Sequence, residues 1–85
     1  MKFLQYEVVG AKAGTTFEAI LSGCSSDVML MKTSDVRSFQ DGRRYEYSGG
    51  HYDTSIVRQV VPSDRDWSLF VVPIGGQVSA NFRAF

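Results

Sequence analysis

The chain has 85 residues and a mass of 9.5 kDa, which leaves room for one hydrophobic core and predicts a single domain over residues 1–85. Nine Lys and Arg balance nine Asp and Glu, so the charge excess that typifies binding to nucleic acid or anionic membrane is missing. One cysteine and one histidine exclude an intramolecular disulfide and a multi-histidine metal site, and we expect no cofactor.

The start of the chain does not fit an export signal. Gln5, Tyr6 and Glu7 interrupt the apolar run that a signal peptide needs. No run approaches the 18 apolar residues that span a bilayer. Together with the lone thiol, these features predict a cytoplasmic protein without membrane contact.

Alternation of apolar and polar side chains dominates the first third of the sequence. Residues Phe3–Val9 and Thr15–Ser22 alternate with period two, which predicts two strands. The glycine-flanked segment 10–14 between them favours a hairpin that pairs these strands. Residues 28–31 are apolar on both sides, which is typical of a strand inside a packed sheet.

The segment Thr33–Gly42 breaks this alternation and predicts at most one short helix, near residues 34–41. Ser34 or Thr33 would cap its start, Val36 and Phe39 would share a face, and Gly42 stands where a left-handed C-cap would.

Strand alternation resumes after the helix. Arg43–Ser48 is predicted as a strand, and Gly49-Gly50 as a tight turn or bulge. The remaining predicted strands are Ser55–Val61, Trp67–Val72 and 77–84. About seven strands and no long helix indicate an all-β fold, either a small antiparallel β-sandwich or a partly open barrel of jelly-roll or Greek-key type.

Several motifs also resemble a known family. They include Arg43-Arg44-Tyr45-Glu46-Tyr47-Ser48-Gly49-Gly50, the later Ser55-Ile56-Val57-Arg58, Val61-Pro62 and Trp67, and a Gly75-Gly76 pair. In these the chain resembles the bacterial domain of unknown function 1883. The resemblance implies a short all-β bacterial protein, of a family in which some members precede TIR domains. It assigns no activity, so it carries no functional residues to this chain.

Three positions depart from that family pattern. Ile56 replaces part of a usual Ser-Pro-Val-Arg run, Asp66 stands near the tryptophan where glycine is frequent, and Pro73 replaces a common aspartate. A ligand that depended on that aspartate would not be bound by this chain.

The most distinctive local pattern is a run of tyrosines and arginines around the glycine pair. On a hairpin, alternate side chains share a face, so these residues could form one aromatic strip. Such a strip stacks bases or sugar rings, while arginines hold phosphates or carboxylates. Half-buried tyrosines of an ordinary strand are the alternative. The candidate binding residues are Arg43, Arg44, Tyr45, Tyr47, His51, Tyr52 and, from the mid-chain arginine cluster, Arg58.

Catalysis has little support in the sequence. Asp53 could orient His51 as a general base, since the two share a face of a regular strand. No serine is marked as a nucleophile and no G-x-S-x-G elbow exists. We therefore assign no catalytic residue and no metal ligand, and expect a protein that is not an enzyme.

These observations predict a non-catalytic module that binds a ligand or a protein. Binding of single-stranded nucleic acid or of carbohydrate through the Tyr/Arg strip is the alternative. Nucleic acid ranks lower because nine acidic residues offset the arginines. The partner could be a protein, a small ligand or a second copy of the chain.

Overall fold

A computed structural model describes residues 3–85 and contains seven strands and one helix. The strands are β1 (Leu4–Ala11), β2 (Thr16–Gly23), β3 (Ser26–Lys32), β4 (Ser48–Tyr52), β5 (Ile56–Val60), β6 (Arg65–Pro73) and β7 (Val78–Ala84), and helix α1 (Thr33–Gln40) follows β3. This helix, eight residues long, is too short to cross a membrane, and the described part of the chain holds no helix that could.

The strands form two antiparallel sheets. The four-stranded sheet has the order β1-β6-β3-β4, and the three-stranded sheet has the order β5-β2-β7. All five strand pairings are antiparallel. Within residues 3–85 the sheets stay separate and no barrel closes, so the sandwich alternative of the predicted all-β fold is confirmed.

The core lies between the sheets and is built from alternate residues of every central strand. Phe17 and Ala19 of β2 face Leu69 and Val71 of β6, and all four are fully buried. The indole of Trp67 joins this core and donates its Nε1–H to the Ser63 carbonyl at 2.8 Å. The side chains that fill the interior therefore follow the predicted alternation with a period of two.

A second, smaller cluster covers the outer side of the four-stranded sheet. Met29, Met31 and Phe70 are buried there, and Phe39 of α1 lies on them with its ring 5.2 Å from that of Phe70. This explains why β3 is apolar on both faces: one face belongs to the main core and the other to the helix-covered cluster.

The helix lies where the sequence predicts it, but its N-cap is a different residue from the predicted ones. The N-cap is Lys32, without a side-chain hydrogen bond, so capping by Ser34 or Thr33 is wrong. Thr33 instead places its Oγ1 3.0 Å from Ser68 Oγ, which ties the helix start to β6. Gly42 has a φ of 71° and donates its N–H to the Phe39 carbonyl, as predicted for the C-terminal end.

The predicted hairpin between the first two strands is wrong. β1 pairs with β6, whereas β2 pairs with β5 and β7 in the other sheet. The intervening segment uses positive φ at Gly10 and Gly14 to carry the chain from one layer to the other. Both strands have one apolar face, and stacking them in opposite layers buries both faces against each other.

The predicted strand Arg43–Ser48 is also wrong, as is the predicted turn at the glycine pair. Residues 43–47 form no regular element, and Gly49-Gly50 lies inside β4. Gly49 has a φ of 128°, and a Cβ there would meet the Val28 carbonyl oxygen at 2.0 Å. Glycine is needed here for close approach to β3, not for a turn.

Candidate functional site

The predicted tyrosine strip is not one surface. Tyr45 packs edge-on against Phe39 at 5.2 Å and places its hydroxyl 4.0 Å from Met29 Sδ. Tyr47 lies beside it, with the ring centroids 5.6 Å apart, and is 52% exposed. Tyr45 is therefore largely part of the outer cluster, and Tyr47 is the exposed member of the pair.

His51 and Tyr52 point to opposite faces of β4. His51 pairs with Asp27, and its Nδ1 lies 3.0 Å from Asp27 Oδ1 on the outer face. Tyr52 turns inward against the main core, and its hydroxyl accepts a hydrogen bond from Gln59 at 3.0 Å. The predicted partnership of His51 with Asp53 is wrong, because the cross-strand neighbour takes that place.

The three predicted arginines also separate. Arg43 pairs with Asp41 at 3.1 Å just beyond α1, and Arg44 is exposed in the irregular segment 43–47. Arg58 lies on β5, in the three-stranded sheet, where it contacts Glu18. The structure thus brings Tyr45 and Tyr47 together and places Arg58 on a different surface.

Arg58 belongs to an ionic triad at the centre of the three-stranded sheet. Glu18 of β2 stands between Arg58 of β5 and Arg83 of β7 in the strand register. Its Oε2 accepts from Arg58 Nε at 2.7 Å and its Oε1 from Arg83 Nε at 2.5 Å. Glu18 is 1% exposed, although it lies on the outer side of the sheet, because the two arginines cover it.

The triad favours the charged forms of Glu18 and Arg83. The hydrogen bonds from Arg83 and Arg58 lower the pKa of Glu18 against the opposing effect of desolvation. The same contact raises the pKa of Arg83. Because each arginine uses its Nε for Glu18, its Nη nitrogens remain available to a partner. The arginine side chains are 58% and 64% exposed, and the triad carries a net charge of about +1.

Large apolar side chains frame the triad. Ile20, Ile56, Val60 and Phe85 are 43–60% exposed, and the Arg83 guanidinium lies 4.8 Å above the Phe85 ring. The register arranges the surface in three rows: Ile56–Ile20–Asn81, Arg58–Glu18–Arg83 and Val60–Thr16–Phe85. We call these nine residues the ionic–apolar face. Its four apolar residues together expose roughly 400 Å², divided by the ionic row into two apolar areas.

The sequence analysis missed most of this face. Side-chain alternation in β2 and β7 puts Glu18 and Arg83 on the side of their strands opposite the core residues Phe17, Ala19 and Phe82. Their meeting depends on β7 pairing with β2 across more than 60 residues of chain. Nothing local to either strand carries that information, so Arg58 alone of the triad was identified.

A pocket of about 190 Å³ lies beside β3, β4 and β6 of the four-stranded sheet. Tyr47, Trp67 and Lys32 are among its lining residues. Ligand sites for small molecules are generally larger, roughly 300–1,000 Å³. Because Trp67 is 7% exposed, its ring offers little surface for stacking. A second cavity, of about 410 Å³, is large enough for a small molecule, but it is lined by polar and charged side chains: Lys32, Thr33, Ser34, Arg65 and Asp66. Ligand pockets are mostly apolar, so the ionic–apolar face is the better candidate.

The fold and this face define a small two-sheet β-sandwich with a partly apolar outer surface. The chain belongs to the family described as domain of unknown function DUF1883, whose profile matches residues 1–84. Comparison with curated proteins and with solved structures gave no match.

Proposed function

We propose that this protein is a non-catalytic binding module that docks a partner protein on the ionic–apolar face. The observation that carries the proposal is the buried Glu18 between two exposed arginines, surrounded by four exposed apolar side chains. Protein interfaces are enriched in arginine and aromatic residues at their centres. A carboxylate that holds two arginines in place lowers the entropy cost of using them in binding.

A macromolecular partner fits this face better than a small ligand does. The face is the outer side of a sheet, and it offers dispersed apolar contacts instead of a concave cavity. The alternative of nucleic acid or carbohydrate on a Tyr/Arg strip has less support, because Tyr45, Tyr52 and Arg58 lie in three different environments. His51 lies on the other sheet and receives no catalytic role.

The proposal includes a cytoplasmic, bacterial setting. A lone cysteine in 85 residues suits a reducing compartment, and the family resemblance supports a bacterial source. Fractionation of the source cells with an antibody against the chain tests the compartment.

Site-specific photo-crosslinking tests the docking role. A photoreactive phenylalanine analogue is introduced at Ile56 or at Val60, whose side chains stand at two corners of the ionic–apolar face. After irradiation of living source cells, we expect one adduct of the same mass from both positions. Positions Val9 and Ile74, which are also exposed and apolar but lie outside the face, should not give that adduct.

A second variant separates docking from mere proximity. Arg58→Ala in the crosslinking chain should remove the adduct, while Arg37→Ala, which removes an exposed arginine of α1, should leave it. Equal adducts from the face and from Val9 and Ile74, or none from the face, would overturn the proposal.

A further inference from the structure

Among the residues that the structure describes, β7 has one edge without a partner strand. This edge is the second feature that points to a partner, and it does not depend on the docking role. β7 pairs with β2 on one side and is an edge strand of its sheet. Thr16 and Phe85 exchange both backbone hydrogen bonds, and Cys24 N–H bonds to the Gln77 carbonyl. Phe85 and Gln77 therefore turn their backbone groups toward β2. Because backbone hydrogen bonding alternates along an antiparallel strand, the odd-numbered residues of β7, which lie between them, do the same. The backbone groups of Val78, Ala80, Phe82 and Ala84 therefore point away from the sheet.

This edge lacks the features that usually prevent strands from pairing between molecules. β7 has the sequence VSANFRA, without proline or lysine, and its register with β2 is regular over seven pairs. Its one charged residue, Arg83, is paired with Glu18 of β2, away from the outer edge. By contrast, the register of β1 shifts between Val8 and Ala11, and β5 has five residues. Unguarded regular edges are templates for another strand.

The core is also incompletely covered along this edge. The four β7 residues that face the core are half-buried, whereas their β2 neighbours Phe17 and Ala19 are fully buried. A strand added beside β7 would bury this remaining apolar surface and satisfy the outward backbone groups at the same time.

We propose that β7 pairs antiparallel with β7 of a second copy of this chain, about a two-fold axis at Asn81. This register aligns all four outward-pointing residues of each strand with those of the other. It sets Phe82 opposite Ala80 and Ala84 opposite Val78, so that each larger side chain meets a smaller one.

Charge also favours this register. Arg83 comes to lie opposite Ser79, so no like charges are opposed on the outer face. The two Asn81 residues form the central non-hydrogen-bonded pair, where side chains are closest, and their amides can bond to each other. The result is a two-fold symmetric, six-stranded sheet with the order β5-β2-β7-β7-β2-β5.

The position of Asn81 supplies a sharp test with the purified protein. Sedimentation equilibrium of the full chain should show a monomer–dimer equilibrium. Asn81→Lys places two lysines opposite each other at the axis and should raise the dimer Kd by up to about fivefold. Asn81→Asp should do the same, and an equimolar mixture of the two variants should restore the dimer. Val9→Lys, which adds the same charge at an exposed site of β1, should leave Kd unchanged.

Three results would overturn the proposal. They are a wild-type chain that stays monomeric up to about 0.5 mM, a dimer that persists unchanged in Asn81→Lys, and a mixture of the charge variants that stays monomeric. Loss of the dimer in Ile56→Ser would place the contact on the ionic–apolar face and would likewise contradict it. The circular dichroism spectrum of each variant verifies its fold. Photo-crosslinking from Val60 tests the docking role, and sedimentation equilibrium tests the dimer. Each proposal can therefore be contradicted without affecting the other.

Discussion

Glu18 shows how a single residue can be buried on the outer side of a sheet. Its carboxylate is covered by Arg58 and Arg83 rather than by a second layer of secondary structure. The cross-strand register places the three side chains in one row, and opposite charges in such a row attract. The triad therefore joins all three strands of its sheet by side-chain contacts in addition to the backbone ladder.

This arrangement predicts how stability depends on pH. The pKa of Glu18 is lowered in the folded chain from its ordinary value of about 4.5, so the unfolded state binds the proton more tightly. The contribution is complete above pH 4.5 and is lost as the pH falls through the folded pKa. We expect Glu18→Gln to lower the free energy of unfolding at pH 7 and to flatten its decline in acid. Urea unfolding at several values between pH 7 and pH 3 measures both effects.

The matched control is Glu7→Gln, which removes an exposed carboxylate from an edge strand. The pKa of Asp64 is lowered by the Ala13 N–H and by Lys12. In wild type and in both variants, Asp64 therefore adds the same decline of the free energy of unfolding as the pH falls. An acid decline as steep in Glu18→Gln as in wild type would show that the triad does not stabilise the fold.

At the scale of elements, the sequence predicted the positions of strands better than their neighbours. β2, β5 and β7 lie within about two residues of their predicted bounds, because side-chain alternation is a local property of a half-buried strand. The pairing of β1 with β6 and of β2 with β7 was missed, because it depends on which layer each strand enters. The same limit explains why Arg58 was identified without Glu18 and Arg83.

β4 was missed for a different reason. Its glycine pair resembles a turn signal, since glycine adopts positive φ freely. In the structure this freedom serves close packing: Gly49 lies opposite Met29, next to the Val28 carbonyl of β3. The preceding Tyr45 leaves the strand pattern because its ring is drawn onto Phe39 and the outer cluster.

This reading of β4 predicts opposite outcomes for neighbouring glycines. Gly49→Ala should destabilise the chain by more than about 2 kcal/mol, from strain at positive φ and from the clash with the Val28 oxygen. Gly50→Ala should be neutral or slightly stabilising, because an added Cβ there meets nothing within 4 Å. Denaturant unfolding of both variants distinguishes them, and equal destabilisation would contradict the assigned role of Gly49.

At the scale of the molecule, the two apolar clusters differ in how much of the fold must open to expose them. The main core draws on both sheets, so it is exposed only when the layers separate. The outer cluster is covered by one short helix, by the irregular segment that carries Tyr45 and by Phe3, whose ring stacks on Phe70 at 4.9 Å. Losing that cover leaves the sandwich itself paired and packed, so local opening should be easier here than elsewhere.

Amide hydrogen exchange measures this difference in local opening directly. The N–H of Asp41, bonded to the Arg37 carbonyl at the end of α1 at 2.9 Å, should exchange at least about a hundredfold faster than ladder amides of β3 such as that of Leu30. Phe39→Ala, which removes the buried contact of the helix, should speed exchange in α1 more than in β3. If exchange in α1 were as slow as in β3, the helix would open only with the whole fold, and the outer cluster would be an integral part of a single cooperative core.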